Sequence, residues 1–506
     1  MNNRIIKHSV VVCTGVFGTL FGHSVSAAPP KYKNVILILT DDMGYHLSAL
    51  GTPGIFTPNI DKLLQTGTLF SNAFSTCSSS APSRSAILTG MYPHSNGHWR
   101  NTHTLLMNSP EEDFEENTPM RDIVGVHDSI VTLPEILAEN GFHTAIMRKY
   151  HLSYPWKYRF SQRCNTGNTP DAYREDIKTI VQQAQGNPFF IMANISAPHR
   201  PWPNHVKQFT GQKPTVDQIE VPPYLPDLDS VRMDLLNYYI SVMYADQLVG
   251  GILSGLKESF VENETLIIFT SDQGPAFHRA KASPYYEGMH VPLIIKGNGI
   301  RESFVSEALV SHTDLFPTIL EAIGFPIPDQ VQGQSLLPII LGQTDQIQDR
   351  KYIFTTHNSH GPIWSDFYPS RAIFDGRFYL IRNLMPGKTY GLPDDLEKSK
   401  APWYNLSYEA IINNRCQCPE HYRKLIELKR NRPPFELYDM QTDPGQMINL
   451  YGLPEYADIQ DELEKQLEVW RKETGDTPEL LQEMVDSYSK PIPFTIEMQR
   501  RKQQNK

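Results

Sequence analysis

The sequence lacks an excess of positive charge. Its 46 lysines and arginines are outnumbered by 56 aspartates and glutamates, and the formal net charge is −10 at pH 7. Proteins that bind nucleic acid or anionic membranes over a broad surface are usually basic. The composition therefore argues against both kinds of partner. An anionic substrate remains possible if lysine, arginine and histidine collect in one pocket.

Motifs of several enzyme classes are also absent. The chain contains neither a Gly-x-Ser-x-Gly elbow nor a dinucleotide-binding fingerprint. Gly387-Lys388-Thr389 is not a phosphate-binding loop, because Arg382 stands where its first glycine should be. We also find no internal repeats. The function therefore has to be inferred from other residues.

Long apolar runs are missing after the N-terminus. Residues 10–21 are apolar and follow Arg4 and Lys7, and Val25-Ser26-Ala27 resembles a signal-peptidase site. This pattern predicts a signal peptide over residues 1–27, with a mature chain that starts at Ala28 and passes through the export machinery. A membrane anchor is the alternative, but the run is short and interrupted by glycine and threonine. We expect a secreted protein without a membrane span in its mature form.

Cysteine is scarce, with five in 506 residues. Removal of the signal peptide would leave Cys77, Cys164, Cys416 and Cys418. An exported protein can form disulfides, but the sequence leaves their pairing open. Cys416 and Cys418 are too close together for a usual zinc pair, so we interpret them as structural.

The pattern of apolar segments changes near residue 350. Before that point, apolar runs alternate with helical patterns, which predicts an α/β domain over residues 28–350 with a mostly parallel sheet between helices. The expected strands include residues 34–40, 143–147, 188–195, 266–272 and 291–295, and the expected helices include 82–89, 132–140 and 231–257. A hairpin turn at Asp375-Gly376 then indicates a smaller α+β domain with an antiparallel sheet over residues 351–480. Residues 481–506 form a polar tail.

Two acidic pairs follow buried strands. Asp41-Asp42 ends the first strand, and Asp272-Gln273 ends another one. Because the carboxyl ends of parallel strands open on the same edge of a sheet, the two pairs can converge. Clustered carboxylates and an amide oxygen would suit a hard cation such as calcium. A solvated turn or a helix cap is the alternative for each pair taken alone.

Ser80-Ala81-Pro82-Ser83-Arg84 lies at a predicted helix start. A helix N-terminus offers free N–H groups and a positive dipole end, which suit an anion such as sulfate. Arg84 should point back toward the same place. The alternative is a serine-rich loop with an ordinary helix cap.

This stretch, which ends in Leu88-Thr89-Gly90, resembles the motif of the type I sulfatases, a family with the alkaline-phosphatase-like fold. The resemblance implies that a maturation enzyme converts Ser80 into formylglycine. It also implies a calcium ion held by Asp41, Asp42, Ser80, Asp272 and Gln273. Some positions depart from the family pattern: Met91 replaces an arginine, and Gln273 replaces asparagine or histidine. Cys77 lies three positions too early to be the modified residue.

Conversion to formylglycine has a chemical reason. A serine hydroxyl is a weak nucleophile without a neighbouring base. Hydrated formylglycine carries two hydroxyls on one carbon, so one can attack sulfur while the other later loses its proton to release sulfate. Calcium would offset the developing negative charge.

The resemblance assigns roles to further basic residues. Lys149 and Lys281 would bind sulfate, and His151 would take or pass the proton of the hydrated aldehyde. His199 would contact the sulfate or protonate the leaving group. Each residue taken alone could be a surface charge or a satisfied histidine.

Several stretches are most similar to the sulfamidase branch of the family, the N-sulfoglucosamine sulfohydrolases. This similarity implies that His357, His360 and Arg371 line a sugar subsite, although they could equally lie on a hairpin surface. It makes N-sulfated glucosamine the leading substrate. O-sulfate in an algal polysaccharide, a phosphatase or phosphodiesterase activity, and non-catalytic glycan binding are the alternatives. The motif resembles the bacterial serine type, so we expect a periplasmic location in a Gram-negative bacterium.

Overall fold

A computed structural model describes the chain over residues 32–101, 124–153, 155–361, 364–391 and 405–488. The proposed signal peptide lies outside these residues. They contain an eight-stranded sheet and a separate four-stranded sheet. No helix in the described part of the chain is both long enough and apolar enough to cross a membrane.

The large sheet is mostly parallel, as predicted. Its strands are β1 (Asn34–Thr40), β2 (Thr68–Phe74), β3 (His143–Met147), β4 (Gln162–Cys164), β5 (Phe189–Ile195), β6 (Thr265–Ser271), β7 (Leu293–Lys296) and β8 (Phe304–Ser311). They are ordered β4-β3-β5-β1-β6-β7-β2-β8. Only β7 runs against its neighbours β6 and β2 in this sheet. The alternation of strands and helices did not predict that reversal.

Helices cover both faces of the large sheet. The helices of the described residues are α1 (Pro58–Gln65), α2 (Ser80–Thr89), α3 (Pro93–Asn96), α4 (Leu133–Glu139), α5 (Pro170–Gln183), α6 (Trp202–Gln208), α7 (Asp229–Glu258), α8 (Tyr286–Met289), α9 (Leu315–Ala322), α10 (Leu337–Ile340), α11 (Leu406–Asn413), α12 (Pro419–Lys429), α13 (Ala457–Glu473) and α14 (Pro478–Ser487). Successive residues of a strand point to opposite faces. Ile36 of β1 accordingly joins the core that contains α5 and α7, whereas Leu37 joins the core that contains α9. Burial on both faces explains the almost continuous apolar sequence of β1.

The second sheet is antiparallel, as the hairpin signal predicted. It consists of β9 (Ile353–Ser359), β10 (Phe367–Phe374), β11 (Phe378–Asn383) and β12 (Phe435–Asp439), ordered β12-β11-β10-β9. Gly376 has φ of 102° in the turn between β10 and β11, a conformation that glycine adopts without steric cost. Helix α13 packs Leu463 and Leu467 against Ile373 and Leu380 of this sheet.

The expected polar tail does not begin at residue 481. Helix α14 continues through residue 487, and its Met484 is buried in a small cluster with Trp99 and Phe367. The apolar residues of α14 have a helical spacing, and burial against this cluster outweighs the polar composition of the segment. Residues 489–506 of the predicted tail lie outside the described residues.

The edge strand of the small sheet contacts the large domain close to α2. The Thr356 N–H of β9 donates to the Thr76 carbonyl, 2.8 Å away. Thr76 lies four residues before the start of α2. Strand β9 is therefore hydrogen-bonded to the segment between β2 and α2, beside the helix that carries the sulfatase-like motif.

Candidate active site

Two acidic pairs meet at the carboxyl edge of the large sheet. Thr40 of β1 and Ser271 of β6 are partners in register, so the residues that follow them emerge side by side. The Asp42 N–H donates to Asp272 Oδ1 at 3.1 Å. Gln273 Nε2 donates to Asp42 Oδ1 at 2.7 Å. The predicted convergence of the pairs is confirmed.

Helix α2 places Ser80 in the same cluster. The helix begins at Ser80, two residues earlier than predicted, and ends at Gly90, which has φ of 67°. The Ser80 hydroxyl donates to Asp41 Oδ1 at 3.3 Å and accepts from Gln273 Nε2 at 3.2 Å. Ser80 is buried. Its side chain therefore lies between the ends of β1 and β6, at the positive end of a helix.

Arg84 lies one turn further along α2 and is fully buried. Its Nε and Nη2 donate to Asp272 Oδ2 at 3.1 and 2.9 Å, and its Nη1 donates to Asn194 Oδ1 at 2.6 Å. Arg84 points toward the cluster, as predicted, and holds the Asp272 carboxylate in a fixed orientation. A buried arginine with these partners acts mainly on the acidic residues around Ser80.

Two lysines reach the first acidic pair. Lys149 Nζ contacts Asp41 Oδ2. Lys281 Nζ donates to Asp42 Oδ2 at 2.9 Å and to His199 Nε2 at 3.2 Å. Burial alone would raise the pKa of Asp41, but the positive charges of Lys149, Arg84 and Lys281 hold it well below its usual range. The cluster thus has a balanced set of opposite charges.

The two histidines of the cluster have different environments. His199 Nδ1 lies 2.6 Å from the Arg200 carbonyl, which can only accept, so Nδ1 carries the proton and Nε2 is free to accept from Lys281. Burial, with the nearby charges of Lys149 and Arg84, holds the pKa of His151 well below its usual range. His151 is therefore neutral near pH 7. Its buried Nδ1 has no hydrogen-bond partner in the described part of the chain.

Comparison with protein families identifies this arrangement. The family model described as Sulfatase matches residues 33–325, more than half of the chain. The chain belongs to the sulfatase family. A second model, described as N-sulphoglucosamine sulphohydrolase, C-terminal, matches residues 278–402 and 397–473. The chain is thus a sulfuric ester hydrolase or sulfamidase.

Curated relatives of this sulfatase cover most of its length. The N-sulphoglucosamine sulphohydrolase of Homo sapiens is 28% identical over 483 residues, covering 88% of this chain and 91% of the relative. An ulvan-active sulfatase of Formosa agariphila is also 28% identical, covering 89% of this chain and 76% of the relative. A solved structure of a protein with its substrate D-glucosamine-2-N,6-O-disulfate has a TM-score of 0.62 at 20% identity, covering 88% and 99% of the two chains. This last likeness confirms the sulfatase fold.

The donor set of this sulfatase fits a hard divalent cation such as calcium. Ligand atoms of Asp41, Asp42 and His199 all lie within 4.8 Å of one another. Gln273 Oε1 is buried without a hydrogen-bond partner in the described residues. The two ends of an amide have nearly the same shape, so a half-turn of this side chain would direct the orphaned oxygen at Asp42 and Ser80. Burial, and after it the charge of Asp41, raises the pKa of Asp272, so a bound cation would favour the charged form of this carboxylate.

Of the three residues assigned to a sugar subsite, two have no access to substrate. Arg371 is fully buried, and its guanidinium pairs with Asp476 at 2.5 and 2.8 Å. His357 is also fully buried, with Nδ1 3.4 Å from Ser78 Oγ. Both residues lie on strands whose side chains face the protein interior, so their assignment to a substrate surface is wrong. His360 is partly exposed, and its Nδ1 lies 3.0 Å from the hydroxyl of Ser79, next to Ser80.

The structure places two asparagines in the site that the sequence analysis did not predict as site residues. Asn194 of β5 accepts from Arg84 and donates to the Lys149 carbonyl at 2.7 Å, so it links two predicted residues. Its position inside a buried apolar strand was the signal that could have identified it. Asn101 accepts from the Ala81 N–H at 2.9 Å. No sequence signal marks Asn101, because its contact with α2 depends on the path of the intervening loop.

Proposed function

We propose that this sulfatase removes sulfate from a sulfated glycan through a formylglycine made from Ser80, assisted by calcium. The main support is the position of the Ser80 hydroxyl, within 3.3 Å of both Asp41 Oδ1 and Gln273 Nε2. The residue at position 80 can therefore contact the same cation as the acidic pairs. Asp41, Asp42, Asp272 and Gln273 would hold that cation together with residue 80.

A formylglycine hydrate at position 80 would supply two hydroxyls: one for attack on sulfur, with departure of the amine or alcohol of the substrate, and one whose deprotonation would release sulfate as the aldehyde re-forms. Bound calcium supplies a fixed positive charge for the sulfate oxygens. The chain's own residues provide the orientation. Arg84 fixes Asp272, while Asn194 connects Arg84 with the backbone of Lys149. These buried contacts leave little freedom for the groups around residue 80.

The basic residues bind the anion and move protons. Lys149 is paired with Asp41 and Lys281 with Asp42, so both ammonium groups lie at the acidic cluster where a sulfate would bind. His199 Nε2 lies 3.2 Å from Lys281 Nζ, so its imidazole lies beside one of the proposed sulfate-binding groups. His151 is neutral and can accept a proton from the hydrate of residue 80.

N-sulfated glucosamine is the leading substrate of this proposal. It is supported by the C-terminal family model and by the human relative, both of which carry the name N-sulphoglucosamine sulphohydrolase. A second candidate is an O-sulfate ester of an algal polysaccharide, because an ulvan-active sulfatase has the same 28% identity. His360 is the one residue of the predicted sugar subsite that remains accessible to either glycan.

The proposal is tested by the mass of the tryptic peptide that contains Ser80. Protein made with a formylglycine-generating enzyme should lose two hydrogens from that peptide, about 2 Da, relative to protein made without it. Only the converted protein should then release sulfate from N-sulfated glucosamine or from ulvan oligosaccharides, and the two rates distinguish the candidate substrates. Equal sulfate release by unconverted protein would refute the formylglycine mechanism.

We further propose that the protein is exported to the periplasm after removal of residues 1–27. The support is the charged, apolar and small-residue pattern of that segment. Cell fractionation followed by N-terminal sequencing should find a mature chain that starts at Ala28. Full-length protein in the cytoplasm would contradict this location.

A further inference from the structure

A side-chain bridge connects the small sheet to the first turn of α2. His360, directly after β9, has Nδ1 3.0 Å from Ser79 Oγ and Nε2 3.4 Å from Asn101 Nδ2. Asn101 in turn accepts from the Ala81 N–H at 2.9 Å. The bridge therefore contacts the residue before and the residue after Ser80.

The donors of this bridge are determined by its geometry. The Ala81 N–H can only donate, so the Asn101 oxygen must face it and the Asn101 amide nitrogen must face His360. His360 Nε2 then accepts, and in the neutral ring the proton is on Nδ1, directed at Ser79 Oγ. Reversing the Asn101 amide would bring its NH₂ group against the Ala81 N–H.

The bridge satisfies a backbone group that the helix itself cannot. Ala81 is in the first turn of α2, where N–H groups have no partner within the helix. With Ala81 N–H bound by Asn101 and Ser79 held by His360, the backbone on both sides of residue 80 is fixed. The side chain of residue 80 is then directed at Asp41 and Gln273, rather than along the helix axis.

We infer that Asn101, oriented by His360, is a positioning residue that sets the direction of the nucleophile at position 80. This inference rests on the proposed function, because it assigns the bridge a role in the attack on sulfur. Asn101 touches neither the acidic pairs nor the two lysines in the described contacts, so its removal should spare anion binding. The expected effect is on kcat, with KM changed little.

Paired substitutions separate the two hydrogen bonds of Asn101. Asn101→Ala removes both bonds and should lower kcat by about 10- to 100-fold, as a displacement of a reacting group by about 1 Å can do. Asn101→Asp keeps an acceptor for Ala81 but cannot donate to His360, so its loss should be smaller. If Asn101→Ala does not fold, Asn101→Asp still tests the bond to His360.

His360 offers a matched rescue. The side-chain oxygen of glutamine can occupy the place of Nε2, so His360→Gln retains an acceptor for Asn101 and should keep most of kcat on a small aryl sulfate, which has no sugar for the proposed sugar subsite. His360→Ala should lose kcat to the same extent as Asn101→Ala. His360→Leu has a similar volume but no acceptor and should lose kcat as alanine does; retained kcat in that variant would show a purely steric role and overturn the hydrogen-bonded bridge.

A control variant removes a helix cap far from the site. Thr169→Ala deletes the side-chain acceptor for Ala172 N–H at the start of α5, a bond of 3.1 Å. It should lower the melting temperature without changing kcat. The fraction of residue 80 converted to formylglycine is measured by mass spectrometry in every variant, and kcat is expressed per converted molecule.

The outcomes separate the inference from the function on which it rests. A converted wild type that releases no sulfate overturns the proposed function, and the inference with it. An active wild type whose Asn101→Ala variant keeps kcat within about twofold, below the effect of a displaced group, overturns the inference alone. The inference is also overturned if Thr169→Ala loses as much kcat as Asn101→Ala, because the loss of kcat would then result from lower stability alone.

Discussion

Replacing Arg371 by methionine should destabilise the protein and leave its substrate affinity intact. Arg371 and Asp476 are both buried, and the arginine also donates to Asn358 Oδ1 at 2.9 Å. Methionine retains most of the apolar side chain and removes the charge. The substitution therefore tests whether this arginine holds the small sheet to the segment before α14 or binds a glycan.

The size of the effect follows from the partners that remain. Removing one member of a buried ion pair costs about 3–5 kcal/mol, because the other charge stays buried without compensation. Asp476 would keep a second guanidinium, since Arg471 Nε lies 2.6 Å from its Oδ2. We therefore expect a loss near the lower end, about 3 kcal/mol. Asp476→Asn should cost more, because it affects both arginines at once.

The pH dependence of folding stability provides a second test of this buried pair. Burial alone would raise the pKa of Asp476, but Arg371 and its neighbours lower it below its ordinary value. An acid with a lowered pKa in the folded state contributes stability at neutral pH, and this contribution is lost as the pH falls below about 4. Arg371→Met should reduce the part of the acid destabilisation that comes from Asp476.

The assay combines unfolding with kinetics. Melting temperatures and urea unfolding curves are measured for wild type, Arg371→Met, Asp476→Asn and the double variant. The double-mutant cycle should give a coupling energy of about 1–3 kcal/mol. KM is then measured on a sulfated glycan and on a small aryl sulfate. An unchanged melting temperature combined with a higher KM on the glycan alone would refute the buried-pair reasoning and restore Arg371 to the sugar subsite.

Three further predictions concern the nucleophile, the cation and the buried histidines. Ser80→Ala should abolish sulfate release with an unchanged circular dichroism spectrum; residual turnover would contradict the assigned nucleophile. Chelation of calcium should lower both activity and melting temperature, and Asp272→Asn should weaken calcium binding measured by titration calorimetry; an unaffected melting temperature would argue against the cation site. Burial lowers the pKa of His94 and of His312 to about 3, so below about pH 6.5 the unfolded chain binds protons that the folded chain does not, and stability should fall with pH by up to about 1.4 kcal/mol per pH unit for each such histidine. His94→Gln should flatten the plot of melting temperature against pH, and an identical slope would contradict this cause.

Local sequence signals predicted the parts of the site that depend on strand ends and helix starts. The acidic pairs follow apolar runs, and parallel strands bring such ends together whatever lies between them in sequence. Gly90 ends α2 in the left-handed conformation, which the sequence also indicated. The hairpin at Asp375-Gly376 was equally local. In each case the signal itself lies within a few neighbouring residues, and only the meeting of the acidic pairs also needs the parallel sheet.

Signals that depend on distant partners were not accessible. Arg371 is separated from Asp476 by 105 residues. The sequence therefore showed a basic residue on a hairpin but gave no sign of its acidic partner. The direction of β7 has the same difficulty, because a short apolar run has no property that distinguishes parallel from antiparallel pairing. Asn101 depends on a loop path that no periodicity describes. For all three, tertiary contacts determined the outcome.

The hydrogen bond between Thr356 and Thr76 has a consequence for engineering and for evolution. Grafting the C-terminal half of one sulfatase onto the catalytic half of another looks like a simple route to new substrates. In this chain, however, β9 also supplies His357 beside Ser78 and leads directly to His360 beside Ser79. A graft would therefore replace part of the frame of the nucleophile together with the substrate surface. Successful chimeras should need a matched segment of residues 76–81, so these two parts of the chain are expected to change together.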